Sequence, residues 1–135
     1  MATRDLHTKV GEMAFDNLFA GNEPAALVRG GTIRKLAAKA TLVRGTILAK
    51  SSGTGGDGKL VILGTTAGAN ETLTPDCILC DDIEVGTTDD ENVVVYVEGD
   101  FNEAALTVDE NYTITEADRD ALRTKRIYLG GVMAL

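Results

Sequence analysis

The sequence contains few of the residues on which catalytic and metal sites usually depend. Its 135 residues include one histidine, two cysteines and no tryptophan, and only 4% are aromatic. His7, the one side chain suited to act as a base near neutral pH, has no recognisable nucleophile beside it. A four-ligand zinc site would need carboxylates or a neighbouring subunit to complete it. The sequence therefore predicts a protein that is not an enzyme and that holds no metal and no cofactor.

Long apolar runs and an excess of positive charge are also missing. No stretch approaches the roughly 18 consecutive apolar residues of a membrane span, and the first residues are not followed by a signal-peptide core. The chain has 13 basic and 21 acidic residues, and its net charge of -8 disfavours binding to a nucleic-acid backbone. We therefore expect a protein of cytosolic origin that binds neither a membrane nor nucleic acid directly.

The length of the chain suits one domain, and its patterns are mostly those of strands. The residues at 27–33 (LVRGGTI) and 42–48 (LVRGTIL) are near copies and predict paired strands of similar shape. Val93 to Val97 is a continuous β-branched and aromatic run, which predicts a strand that is apolar on both faces and lies in a core or between subunits. We expect a mainly β (α+β) domain over residues 27–135.

One short helix is predicted near the end of this domain. Thr115 has the character of an N-cap, and Glu116 and Asp118 follow it in the first turn, where acidic side chains suit the positive end of the helix dipole. Residues 127–129 (IYL) then leave as a strand. The domain is therefore expected to contain one or two short helices.

Residues 1–26 differ from the rest of the chain and are interpreted as an N-terminal arm. Apolar residues between Leu6 and Leu18 fall near helical spacing, but Gly11 interrupts them, and Pro24 lies in a stretch that ends any helix. The periodicity alone also allows a first helix that packs on the domain's own core.

The Gly-rich run from Gly53 to Lys59 resembles the first part of a phosphate-binding loop. Leu60 stands where that motif has the Ser or Thr that holds magnesium, and the run opens a strand instead of a helix. A flexible hairpin loop is the favoured interpretation, and a small nucleotide- or ligand-binding protein is the alternative.

Two further groups of side chains have structural interpretations. Cys77 and Cys80 flank two apolar residues in a strand pattern, and acidic residues surround them, so buried structural cysteines are favoured over a redox or metal site. The acidic clusters at 81–84 and 89–91 do not match a calcium-binding loop, and the second is interpreted as part of a solvated hairpin loop.

Five segments, in this order, resemble the head decoration (capsid-stabilising) proteins of tailed bacteriophages, the lambda-type family. They are GTILAK at 45–50, GKLVILGTTAG at 58–68, CILCDDIEV at 77–85, VVVYVEGDFNEAAL at 93–106 and ALRTKRIYL at 121–129. The resemblance implies a small β-tadpole-like fold with an N-terminal capsid-binding arm. It also implies a homotrimer that binds the major capsid protein at three-fold or quasi-three-fold sites and stabilises the expanded head against the pressure of packaged DNA.

The resemblance also assigns roles to particular residues. In the arm, the residues expected to anchor the chain on the capsid are Phe15, Leu18 and Phe19. In the domain, the residues expected to form the core or the trimer contact are Val93, Val95, Val97, Phe101 and Leu106. The protein would be made in the host bacterial cytoplasm and lie on the outer surface of the virion. A β-rich subunit of another phage assembly, such as the tail, is a further alternative.

Overall fold

The computed structural model describes residues 17–131, and over these residues the chain is built mainly of β-strands. In chain order the elements are β1 (Phe19–Gly21), β2 (Leu27–Ile33), β3 (Ala40–Leu42), β4 (Ile47–Ser52), β5 (Leu60–Ile62), β6 (Thr72–Leu79), β7 (Ile83–Val85), β8 (Glu91–Asn102), a 3-10 helix (Glu103–Ala105), α1 (Glu116–Arg123) and β9 (Ile127–Gly130). The prediction of a mainly β fold with one or two short helices is confirmed.

Five of these strands close into a small barrel around β8. β8 pairs antiparallel with β2 along one edge and with β6 along the other, and β4 connects β6 to β5. The ring closes where β5 and β2 run parallel with one pair of register partners, Ile33 and Leu60. β1 and β9 flank the second half of β8, while β3 and β7 form a separate two-stranded ribbon.

Two buried clusters form the core, because neighbouring residues of a strand point to opposite faces. One cluster takes a residue from every strand of the barrel and so fills its interior: Ile33, Leu48, Leu60, Cys77, Leu79 and Val95, with Leu42 and Val85 from the ribbon. The other lies against the outside of β4, β5 and β6 and consists of Leu18, Ile47, Ala49, Val61, Leu63, Ile78, Phe101, Leu122 and Ile127. Coverage of β4, β5 and β6 on both faces explains their continuous apolar runs.

The helix α1 begins where the sequence predicts it. The Thr115 hydroxyl accepts a hydrogen bond from the Asp118 backbone N–H at 3.2 Å, and the Asp118 carboxylate accepts one from the Thr115 backbone N–H at 3.0 Å. This reciprocal capping box satisfies N–H groups that the first turn cannot pair internally. Leu122, on the inward face of the helix, is fully buried and holds the helix against the barrel.

The prediction of paired strands at 27–33 and 42–48 is wrong. Residues 42–48 are not one strand, because β3 ends at Leu42 and β4 begins at Ile47, with Gly45 between them at a φ of +93°. β2 pairs with β8 and β5, not with this segment. In the run from Val93 to Val97, Val95 is buried in the core and the Val94 side chain is 49% exposed on the other face, so the predicted position of that face between subunits stays a prediction.

Candidate functional site

The chain enters the described structure against the end of β8, in the segment where the sequence predicts capsid-contact residues. The Asn102 side-chain Nδ2 donates to the Asn17 carbonyl oxygen at 3.0 Å, and the Asn102 backbone N–H donates to the Leu18 carbonyl oxygen at 2.8 Å. β1 then pairs with β8 through Phe19 and Phe101. Residues 17–19 are therefore held against the end of β8.

Leu18 and Phe19 both pack against their own domain. Leu18 is 3% exposed, lies in the cluster outside the barrel, and approaches Gly45 so closely that a side-chain carbon there would lie 3.1 Å from Leu18 Cδ1. The Phe19 ring is 5.1 Å from the Phe101 ring and 5.3 Å from the Tyr96 ring, measured between centroids. These contacts make the segment part of the domain's packing.

An arginine completes this aromatic group. The Arg44 guanidinium carbon lies 5.9 Å from the Phe19 centroid and 6.0 Å from the Tyr96 centroid, within the range of a cation–π interaction. Arg44 Nη2 also donates a hydrogen bond to the Tyr96 hydroxyl at 3.2 Å. These contacts therefore hold β1 against the rest of the domain.

The structure describes two of the three predicted arm anchors. Phe15 lies outside the described residues. Leu18 and Phe19 make their contacts inside the domain, so their contact with a capsid protein stays a prediction. β1 also lies on the arm side of the boundary predicted between residues 26 and 27. The local pattern gave no signal of its pairing with β8, because Phe19 and its partner Phe101 are far apart in sequence.

The residues predicted for the core or the trimer contact are spread over both clusters. Val95 is 2% exposed inside the barrel, and Phe101 is fully buried outside it. Val93 and Val97 are partly buried against the barrel interior, while Leu106 is partly buried against the outer cluster. The position of these side chains in the domain does not decide a contact with a second subunit, which stays a prediction.

Sequence reasoning missed an exposed apolar surface on the outer face of β2 and β8. Val28 is 46% exposed and Val94 is 49% exposed. Val28 lies opposite Tyr96 and Gly30 lies opposite Val94, and directly paired residues share a face, so these positions lie together. The alternation within β8 that turns Val95 inward and Val94 outward was hidden by the uniform valine run.

The Gly-rich loop is a hairpin connection between β4 and β5, as the sequence predicts. Arg34 binds the Asp57 carboxylate with two hydrogen bonds of 2.8 and 2.9 Å and also reaches the Glu71 carboxylate. The backbone N–H of Gly68, the Ser51 hydroxyl and Arg34 all donate to Glu71 and lower its pKa to about 2. This network of charges joins the end of β2 to the loop and to the start of β6.

The same loop lacks the arrangement that a phosphate-binding loop needs. The Lys59 ammonium pairs with the Asp90 carboxylate, which raises the pKa of Lys59, and the loop leads into strand β5. A phosphate loop instead opens a helix and presents its lysine to the ligand. The geometry therefore does not favour the nucleotide-binding alternative.

The cysteines and acidic residues do not assemble into a metal site in the described part of the chain. Cys77 is fully buried and Cys80 is 7% exposed, both as free thiols, and burial raises the pKa of each thiol. Within residues 17–131, no group of three or more His, Cys, Asp and Glu side chains could hold a metal ion. The structural interpretation of the two cysteines agrees with this burial.

No helix between residues 17 and 131 combines the length and the apolar character needed to cross a bilayer. A family model described as bacteriophage lambda head decoration protein D matches residues 14–127, which is more than half of the 135 residues. No curated protein matches the chain.

Proposed function

The chain belongs to the family of bacteriophage lambda head decoration protein D, and we propose that it binds the expanded phage head as a homotrimer and stabilises it. Its place is the virion, as a structural component of the capsid. The proposed sites are the three-fold or quasi-three-fold points of the outer surface, where one trimer contacts several copies of the major capsid protein. The protein acts there without catalysis, after its synthesis in the host cytoplasm. The family match over residues 14–127 is the observation that carries this proposal.

Stabilisation follows from preferential binding. A ligand that binds one state of a shell and not another stabilises the bound state by mass action, and several linked contacts add avidity. The decoration protein binds the expanded head and not the unexpanded shell, because expansion creates its site. Packaged DNA then pushes against a lattice whose neighbouring subunits are held together from outside.

We propose that the main capsid-binding part of the predicted arm precedes residue 17. Leu18 is buried, and Phe19 packs on Tyr96 and Phe101, so both residues are committed to the domain in the structure. Phe15 is the predicted anchor that precedes residue 17, and contact of Leu18 and Phe19 with the capsid stays a prediction. A deletion that tests the arm must therefore stop at residue 16, since a longer one would remove core side chains as well.

Co-sedimentation with phage heads tests the proposal. The full chain, a variant that lacks residues 1–16 and the full-length variant Phe15→Ala are each mixed with expanded heads stripped of decoration, and with unexpanded shells. We expect the full chain to pellet with expanded heads alone, the deletion variant to lose most binding, and Phe15→Ala to bind more weakly. Circular dichroism of each variant checks that the domain is still folded.

The outcomes separate the parts of the proposal. Equal binding of the full chain to expanded and unexpanded shells would contradict stabilisation by preferential binding. Full binding by the deletion variant would remove the arm from the mechanism and leave the decoration role intact. Absence of binding to a matching shell would refute the proposed function, while the fold would stand.

A further inference from the structure

β2 has an open edge in an otherwise closed barrel. β8 pairs with β2 over its whole length, whereas β5 meets it at Ile33 alone. From Val28 to Gly31, the side of β2 turned away from β8 has no strand beside it within residues 17–131, and at Thr32 only the carbonyl oxygen meets β5. We call this side of residues 28–32 the β2 edge. Its pairing with β8 is in unbroken register, because the shift in register lies before Val28.

The hydrogen-bond pattern shows which backbone groups face the β2 edge. The Val94 carbonyl oxygen accepts from the Cys80 N–H, so Val94 turns its backbone groups away from β2. Its partner Gly30 therefore turns its own N–H and C=O away from β8, as in a non-hydrogen-bonded antiparallel pair. Arg34 supports this alternation, since its N–H donates outward to Leu60 at 2.9 Å. By the same alternation, Val28 presents both its backbone groups to the open side. At Thr32 the N–H is open, whereas the carbonyl oxygen accepts from the Leu60 N–H in the parallel pairing of β2 with β5.

The side chains leave this edge accessible. Val28 is 46% exposed, and a side-chain carbon on Gly30 would meet no atom within 4 Å. Exposed edges are usually protected by inward-pointing charges, proline, bulges or a covering loop, because unpaired backbone groups recruit other strands. Val28 to Thr32 contains no proline and one charged residue, Arg29.

The charge of Arg29 indicates the charge of the segment that would pair with the β2 edge. It is exposed, and it forms no ion pair with any residue in the described part of a chain whose net charge is -8. An extended segment that pairs with β2 would place side chains beside Arg29, and a carboxylate there would gain a charge-assisted hydrogen bond. Charge complementarity thus favours an acidic strand.

We propose that the β2 edge takes up an extended segment of the capsid shell protein as an added strand, with a carboxylate of that segment beside Arg29. This inference rests on the proposed function, since it names the surface through which the barrel itself meets the shell. The contact is separate from the arm, because it uses residues 28–32 of the domain. Main-chain hydrogen bonds from three alternate residues supply the affinity, and Val28 and Arg29 supply the selectivity.

Residue-resolved hydrogen exchange on the unmodified full chain tests this directly. In the free protein, the amides of Arg29 and Gly31 should exchange slowly, because they pair with β8, while those of Val28, Gly30 and Thr32 exchange quickly. On expanded heads stripped of decoration, the three fast amides should become protected. Binding without any such protection would overturn the inference and leave the proposed function standing.

Two variants of one glycine give a matched comparison. Gly30→Pro removes an N–H that faces the open edge and not β8, so β8 pairing is retained while strand addition is blocked. Gly30→Ala adds a side chain in open space and keeps the N–H. We expect the proline variant to bind expanded heads about tenfold more weakly or worse, and the alanine variant to bind within about twofold of the unmodified protein. Equal binding by the proline variant would overturn the inference.

Charge variants test the acidic partner. Arg29→Glu should weaken binding strongly, whereas Arg29→Lys should retain most of it, and the effect should diminish at high salt. Protection of the fast amides in the free protein that rises with its concentration would assign the edge to a second copy of the chain and overturn the proposal. If no form of the protein binds expanded heads, the proposed function and this inference fail together.

Discussion

Leu18 offers the sharpest test of whether the segment before β2 belongs to the folded domain. Leu18→Ala removes three carbon groups from a side chain that is 3% exposed. At about 0.8 kcal/mol per buried group, the lost transfer free energy is about 2.4 kcal/mol, and the cavity left behind adds to it. We expect a total loss of about 3 kcal/mol, which is near the lower end of the range for buried leucines.

The assay is equilibrium unfolding in guanidinium chloride, followed by circular dichroism, with thermal unfolding alongside. A loss of about 3 kcal/mol corresponds to a fall in Tm of about 10 °C for a domain of this size. Leu27→Ala is the matched control, since Leu27 is 40% exposed and the same substitution there should cost less than about 1 kcal/mol. If the two variants lost the same small amount of stability, Leu18 would not be part of the core, and the arm would extend to residue 26 as predicted from the sequence.

Two other perturbations follow from the contacts of the domain. The usual pKa of Glu71 is 4.5 and its folded pKa is about 2, so the stability it contributes is present above pH 4.5 and is lost as the pH falls toward 2. The Tm difference between the unmodified protein and Glu71→Gln should therefore shrink over that interval. A constant difference would contradict a role for the charge. Thr115→Ala should cost about 1 kcal/mol in guanidinium unfolding, because it removes one half of the capping box. Thr113→Ala, at an exposed position just before the helix, is its control and should stay within about 0.5 kcal/mol, and an equal loss in both would argue against the cap.

Local signals in the sequence predicted those elements whose causes are local. The N-cap at Thr115, the strand at 27–33 and the hairpin that spans Gly53 to Lys59 each depend on residues a few positions apart, and each appears in the structure. The segment at 42–48 was misread because an apolar pattern does not show that Gly45 turns the chain at a φ of +93°.

The candidate sites depend on pairing over long distances, which no local pattern reveals. Nothing near Phe19 indicates that its partner is Phe101, and nothing in the valine run indicates which of its members faces water. The backbone groups of Gly30 face outward because its partner Val94 turns its own backbone groups toward Cys80. The family resemblance of the whole chain could be read from the order of its segments, whereas an open edge is a property of the closed sheet.

The position of β8 in the chain has a consequence for synthesis. β8 pairs with β1, β2, β6 and β9, yet it ends at Asn102, late in the sequence. While the ribosome is making the first three quarters of the polypeptide, β1 and β2 exist without the strand that holds them. Sheets closed by such distant segments fold slowly, in milliseconds to seconds, and their unpaired strands are exposed to neighbours in the meantime. The barrel therefore cannot close until β8 has left the ribosome. When a cell produces the protein in large amounts, many incomplete chains with unpaired strands are present at once.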